Sequence, residues 1–280
     1  VARVRAELEA NEGLGLVSNL VRLSYFSHEL SPEDLAAFPV LARMLAERGV
    51  YLVITPHNYQ INQQGEYTPS PIRGQLIPVN SFLPDATDTR ILGALAQRLK
   101  GCDNVIFGLW NEPANTTWAT LEQVLRTQSE AVLAHFPQGG RRPLLLVPGI
   151  EWSRDFRGAR IPLPADTYLI DVHDYPDFWN QDSRFKYQSM IGRVPVLISE
   201  MGGVLSRNYQ PQSETDLARI RSILFGLVNA PERSGSLHYC IWKGDDSPDG
   251  VRTPEGALTP RGLLAQEERR TFPTQTRFTN

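Results

Sequence analysis

Two glutamates stand where apolar β-type runs stop: Glu112 at the end of NVIFGLWNEP, residues 104–113, and Glu200 near the end of VPVLISEMG, residues 194–202. Other such runs also finish in groups able to donate, accept or carry charge: Arg22, His57, Asn111, His173 with Tyr175, and Trp242. A lone glutamate in such a place most often accepts backbone N–H bonds at the start of the next helix. Two of them, accompanied by His, Tyr, Asn and Arg, suit a different task. Paired carboxylates facing each other across a pocket are what glycoside hydrolysis needs, one protonating the leaving oxygen while the other attacks the anomeric carbon.

For these groups to meet, the strand ends that carry them must converge. Apolar runs predict strands at 16–26, 50–58, 104–113, 143–152, 167–175, 194–202 and 236–242. Helical spacing and cap residues predict helices at 1–11, from Pro32 to the closing Gly49, and at about 86–100, 117–136, 183–192, 214–229 and 260–269. This alternation implies a parallel sheet. The closed form is the (β/α)8 barrel, whose C-terminal strand ends gather on one catalytic face. A doubly wound open sheet is the alternative, but no GxGxxG or P-loop opens a helix here. Period-2 alternation puts Val194, Val196, Ile198 and Glu200 on one side of their strand, and Asp171, His173 and Tyr175 on one side of theirs. With a helix before the first visible strand, the expectation is one barrel domain over 1–280 lacking its first strand. The opening Val1 fits a chain cut upstream. A long loop at 59–85 interrupts the rhythm.

The bulk properties agree with a globular enzyme. The 280 residues are 41% hydrophobic and 21% charged with net charge −3, enough apolar material for one large core. There is no basic block to attract nucleic acid or an anionic membrane, and no apolar run long enough to span a bilayer. Cys102 and Cys240 read as two free core thiols, and no Cys/His cluster indicates a metal or other cofactor.

The stretches VIFGLWNEP, DVHDYPDFW and LISEMGG together resemble the fourth, sixth and seventh strands of glycoside hydrolase family 5, the cellulase-like retaining enzymes of clan A. The resemblance runs from the Arg22 strand through Trp242. It implies that Glu112 is the acid/base and Glu200 the nucleophile. It also implies that Asn111 binds the sugar 2-hydroxyl, that Tyr175 and Arg22 bond Glu200, that His57 and His173 line the cleavage subsite, and that Trp242 forms its floor. The implied substrate is a β-1,4-glucan, with mannan or another β-glycan as the alternative. A secreted monomer acting on polysaccharide or oligosaccharide is implied as well. Many relatives carry a carboxylate two residues before the third-strand histidine, where this chain has Thr55.

Trp152 and Trp179 follow strand ends and suit stacking on sugar rings. Trp118 reads as rim packing, Trp110 as wall packing, His28 as a solvated loop histidine, and Asp171 as a buried acid below His173. Two rival readings use the same residues. A metal-dependent barrel enzyme would take His57, His173, Glu112 and Glu200 as ligands, but no HxH or HExxH supports it. A non-catalytic sugar-binding relative draws its support from the missing first strand, since a barrel lacking it would leave two unpaired edges and an open core.

Overall fold

The computed structural model describes residues 1–16, 19–57, 83–137, 140–174, 186–187, 189–201, 217–218, 221, 237–241 and 255–271. In chain order they form α1 (Ala2–Gly13), β1 (Leu20–Tyr25), α2 (Pro32–Glu47), β2 (Tyr51–Pro56), α3 (Ala86–Leu99), β3 (Val105–Gly108), α4 (Trp118–Leu133), β4 (Leu144–Pro148), β5 (Tyr168–Asp174), β6 (Val196–Met201), β7 (Leu237–Ile241) and α5 (Pro260–Thr271). They pack as two compact units, one spanning Asn19–Asp171 and the other joining Val1–Ser18 to Val172–Asn280. The helix expected over 183–192 does not reach its end: residues 189–192 are turn and bridge, where Arg193 N–H bonds Met190 O and Gly192 takes φ 81°. Most of the helix expected at 214–229, and most of the 59–85 loop, lie outside the described residues.

In the unit Asn19–Asp171, β1 to β5 pair in sequence order and every pairing is parallel. Leu20 lies opposite Tyr51, Leu52 opposite Val105, Ile106 opposite Leu144, and Leu145 opposite Tyr168. Parallel strands covered on both faces read as continuous apolar runs rather than alternating ones. Leu52, Val53 and Ile54 accordingly have no solvent exposure, nor do Leu145, Leu146 and Val147.

Helix starts here follow the caps written in the sequence. Ser31 and Asp34 form a reciprocal capping box on α2 with Pro32 in its first turn, and Asp85 and Asp88 form another on α3. Asn104 donates its side-chain amide to Ala42 O and Val50 O, each at 2.9 Å, tying the approach to β3 to α2 and to the approach to β2. Gly108 closes β3 where β2 comes nearest. A Cβ at that position would lie 2.2 Å from Thr55 Oγ1.

The strand expected over 104–113 is shorter than its apolar run. The ladder ends at Gly108, yet Leu109 N–H still bonds Leu146 O at 2.9 Å and Asn111 N–H bonds Pro56 O at 3.0 Å. Trp110 is fully buried, as wall packing requires. Similarly, the strand expected over 143–152 ends at Pro148, and the one expected from residue 16 begins at Leu20.

In the other unit, β6 and β7 are parallel, with Val196 opposite Leu237 and a register break between Ile198 and Met201. The helix that precedes β1 is anchored to the end of the chain: Gln266 Nε2 donates to Leu14 O at 2.6 Å, and Leu16 packs with Ala265 and Leu258.

The α3 cap carries a cost that titration would reveal. Asp88 is fully buried, and desolvation raises its pKa from 3.8 to about 6 against the lowering pull of the Asp85 N–H, Ser27 and His28; the Asp85 charge adds to the rise. Its folded pKa exceeds its unfolded one, so its contribution to stability is complete below pH 3.8 and is lost as pH rises through 6. Asp88→Asn keeps an acceptor for the cap without the charge. Measured by urea unfolding in EDTA, it should stabilise the protein by up to about 3 kcal/mol at pH 7.5, with the gain shrinking steadily toward pH 4. A pH-independent difference between the two proteins would contradict this account.

Candidate active site

Three of the singled-out side chains meet in the unit Asn19–Asp171. Arg22, in the middle of β1, donates from Nη1 to Ser24 Oγ at 3.0 Å and from Nη2 to Asn111 Oδ1 at 2.6 Å. With its oxygen held by the guanidinium, fully buried Asn111 presents its Nδ2 to His57 Nε2 at 3.3 Å. An amide N–H can only donate, so neutral His57 accepts at Nε2 and carries its proton on Nδ1. His57 itself is set by its backbone N–H bond to Tyr25 O, 2.8 Å, and by ring contact with Phe26 at 5.3 Å. Arg22, Asn111 and His57 thus form one polar chain from the middle of β1, not its expected end, to the segments that leave β2 and β3.

Glu112 follows Asn111 in a left-handed conformation, φ 49°. Non-glycine residues rarely adopt that region, and such strain gathers at functional sites. The turn lifts Glu112 out of the buried run Leu109, Trp110 and Asn111, leaving it partly exposed. One residue on, Pro113 O accepts the backbone N–H of Trp152 at 2.9 Å.

Trp152 lies in a second strained turn. Glu151, Trp152 and Ser153 all have positive φ, at 52°, 59° and 57°, although none is glycine. An antiparallel bridge between Ile150 and Asp155 closes the turn, and Asp155 is gripped in turn by Arg157. The indole is 41% exposed, and the Arg154 guanidinium lies 5.2 Å from its ring centre. Trp118, at the head of α4, packs on Phe156 with centroids 5.8 Å apart, in keeping with rim packing.

In the other unit, His173 near the end of β5 and Glu200 on β6 are both buried, with His173 Nδ1 3.4 Å from Glu200 Oε2. Glu200 stands within the register break between Ile198 and Met201. Such irregularities re-aim side chains beside active sites. Asp174 is buried next to His173 in sequence and receives the Tyr187 hydroxyl at 2.5 Å. Asp171 is fully buried. Tyr175, Trp179 and Trp242 lie outside the described residues, as does the side chain of Cys240. Cys102 is a free, half-buried thiol whose pKa is raised by burial.

One sequence reading is corrected. His28 is not a solvated loop histidine: its Nε2 lies 2.9 Å from Asp85 Oδ2, and its side chain is 25% exposed. Histidine and aspartate are 57 residues apart, so only the packing of the turn Ser27–Glu29 near α3 reveals the pair. The left-handed turn at 151–153 was equally hidden, since no glycine marks it.

A family model described as Cellulase (glycosyl hydrolase family 5) matches residues 18–246, a span that holds Arg22, His57, Asn111, Glu112, Trp152, His173, Tyr175, Trp179, Glu200 and Trp242. The chain belongs to glycosyl hydrolase family 5. Endoglucanase 1 of Robillarda sp. (strain Y-20) is 24% identical over 180 residues, covering 59% of this chain and 42% of that protein. The chain therefore spans less than half the length of that relative. Solved structures carry the fold. A β-glucanase from Saccharophagus degradans in complex with cellotetraose superposes with TM-score 0.69 at 15% identity, covering 95% of this chain and 84% of that one. The catalytic domain of a Thermobifida fusca endoglucanase gives 0.67 at 15% identity over 94% and 86%. An endo-β-1,4-glucanase from Xanthomonas axonopodis pv. citri gives 0.63 at 19% identity over 95% and 90%. The fold is the (β/α)8 barrel of family 5.

Proposed function

We propose that this protein is a retaining, endo-acting glycoside hydrolase that cleaves β-1,4-linked glucan. The observation that carries the reading is the family 5 match across 18–246, with Glu112 and Glu200 both inside it. The endoglucanase relative and the solved neighbours with bound cello-oligosaccharide support the choice of glucan.

In the first step the Glu200 carboxylate attacks the anomeric carbon while the Glu112 carboxyl gives its proton to the glycosidic oxygen. The C–O bond breaks, the shortened chain leaves as an alcohol, and the sugar remains bound to Glu200 as an ester. In the second step Glu112, now a carboxylate, takes a proton from water. That water attacks the same carbon and returns Glu200 as a carboxylate. Each displacement inverts the carbon, so the two together restore its configuration.

The surrounding groups have distinct tasks in this scheme. His173 Nδ1, near Glu200 Oε2, steadies the carboxylate, with Tyr175 and Arg22 as further donors. Asn111 offers its amide to the sugar 2-hydroxyl, its orientation set by Arg22 and His57. His57 and His173 line the cleavage subsite, and Trp242 serves as its hydrophobic floor. Trp152 is sewn to Pro113 beside the acid, and so serves the leaving-group side as a stacking surface; Trp179 is the second such platform. Secretion and a monomeric state complete the reading. No helix among the described residues is long and apolar enough to cross a membrane.

The test is product stereochemistry together with a substrate panel. Proton NMR during hydrolysis of cello-oligosaccharides should show the β-anomer of the new reducing end first, with the α-anomer growing in only by mutarotation. Cellulose and mixed-linkage glucan should be cleaved faster than mannan or xylan, with a rapid fall in polymer viscosity. Immediate α-anomer would overturn retention, and preference for mannan would overturn the glucan assignment.

A further inference from the structure

Away from the paired glutamates, a second cluster of ligand-type side chains joins the segments that follow β1 and β2. His28 comes from the turn Ser27–Glu29; Asp85 caps α3 and Asp88 lies in its first turn. One ligand atom from each lies within 4.8 Å of the others. Their hydrogen bonding leaves a defined set of donors. Asp85 Oδ1 is committed to the Thr87 and Asp88 N–H groups at 2.7 and 2.9 Å, while Oδ2 faces His28 Nε2 at 2.9 Å. Asp88 Oδ2 accepts the Asp85 N–H at 2.9 Å.

The other Asp88 oxygen is a separate signal. Asp88 has no solvent exposure, and the Ser27 hydroxyl lies close enough to favour its ionised form. Yet Oδ1 and Ser27 Oγ are both enclosed without a partner in hydrogen-bond geometry. A desolvated carboxylate oxygen in that state is costly unless a cation or a donor meets it.

We propose that His28, Asp85 and Asp88 form a Zn2+ site that pins the turn after β1 to the start of α3. The donor set selects the metal. One imidazole nitrogen with carboxylate oxygens suits zinc and leaves a fourth position for water, whereas calcium and magnesium prefer all-oxygen cages. The geometry is close to what zinc requires. Ligand atoms about 2.0–2.2 Å from a tetrahedral zinc lie about 3.4 Å apart, so the His28–Asp85 contact opens by roughly half an ångström as the metal replaces the shared proton. Asp88 closes by a side-chain adjustment. The helix N-terminus repels a cation, but Asp85 Oδ1 already neutralises it through two N–H bonds, and two carboxylates leave the pocket anionic. Because Arg22 and His57 emerge from the same two strands, the metal would stiffen that end of β1 and β2 and act on stability before rate.

The experiment uses the full chain, stripped with EDTA and titrated with ZnCl2 at pH 7.5 by calorimetry and thermal melting. The wild type should bind one zinc at this site, and a hundredfold excess over Kd should raise Tm by about 5 °C. His28→Ala removes a part-exposed ring, and Asp88→Asn keeps the cap acceptor, so each should fold and each should lose both the binding and the Tm shift. Glu200→Gln serves as a control, because the His173–Glu200 pair also offers zinc ligands; it should keep both. Absence of binding in the wild type, retention in either cluster variant, or loss confined to Glu200→Gln would overturn the proposal.

Discussion

Replacing Glu200 by glycine should stop turnover of cello-oligosaccharides almost completely, with a loss on the order of 10⁵-fold. The reaction proposed for this barrel begins with that carboxylate bonding to the anomeric carbon, and glycine offers no atom to form that bond. Glycine also vacates space on the attacking face. Azide supplied at molar concentration should enter it, attack an activated aryl cellobioside in one displacement, and release the α-glycosyl azide. Chromatography of the azide product measures this directly. Activity within tenfold of wild type, or an azide product of β configuration, would remove Glu200 from the nucleophile's role.

Glu112→Ala should divide substrates by their leaving groups. Cello-oligosaccharides, whose departing alcohol needs a proton, should lose 10²–10⁴-fold, the usual worth of a positioned acid. A dinitrophenyl cellobioside needs no such help, so its first step should remain fast. The second step then lacks its general base, and a glycosyl-enzyme should accumulate as a burst of dinitrophenolate detectable by stopped flow. Azide should relieve the block and yield the β-glycosyl azide, opposite in configuration to the Glu200→Gly product. Equal losses on both substrates would mean that Glu112 acts on binding or folding, and not as the acid.

Much of this was legible in the residues. Parallel strands buried on both faces advertise themselves as apolar runs, so β2, β4 and β6 fall inside their expected spans, and Asp85, Ser31 and Pro32 mark their helix starts. The errors share a physical origin. Periodicity reports burial, and burial outlasts the ladder: Leu109 and Trp110 are as buried as any strand residue, yet lie beyond the end of β3. Backbone reversal was legible only where glycine announced it. Gly49 did so at φ 69°, whereas Glu112 and the run Glu151–Ser153 adopt the same region with side chains that disfavour it. Tertiary packing overrides propensity there, and a single sequence carries no trace of it. The Arg22–Asn111–His57 chain was legible as a set of residues but not as a set of bonds. The pairing of His28 with Asp85 was not legible at all, because neither residue lies in a pattern that points to the other.

The close approach of Gly108 to Thr55 bears on how this chain can change. A side chain at 108 would collide with Thr55, so substitution at 108 must wait until 55 becomes smaller. Any larger residue at 55 must in turn lie over a glycine. The Thr55 hydroxyl is a buried atom without a hydrogen-bond partner. A carboxylate there would fit sterically only because 108 is bare, and would be left charged and enclosed unless a donor arrived with it. Substitutions at the two positions are therefore coupled rather than additive. Introducing an acid at 55 starts with the neighbours of residue 55, and only afterwards with residue 55 itself.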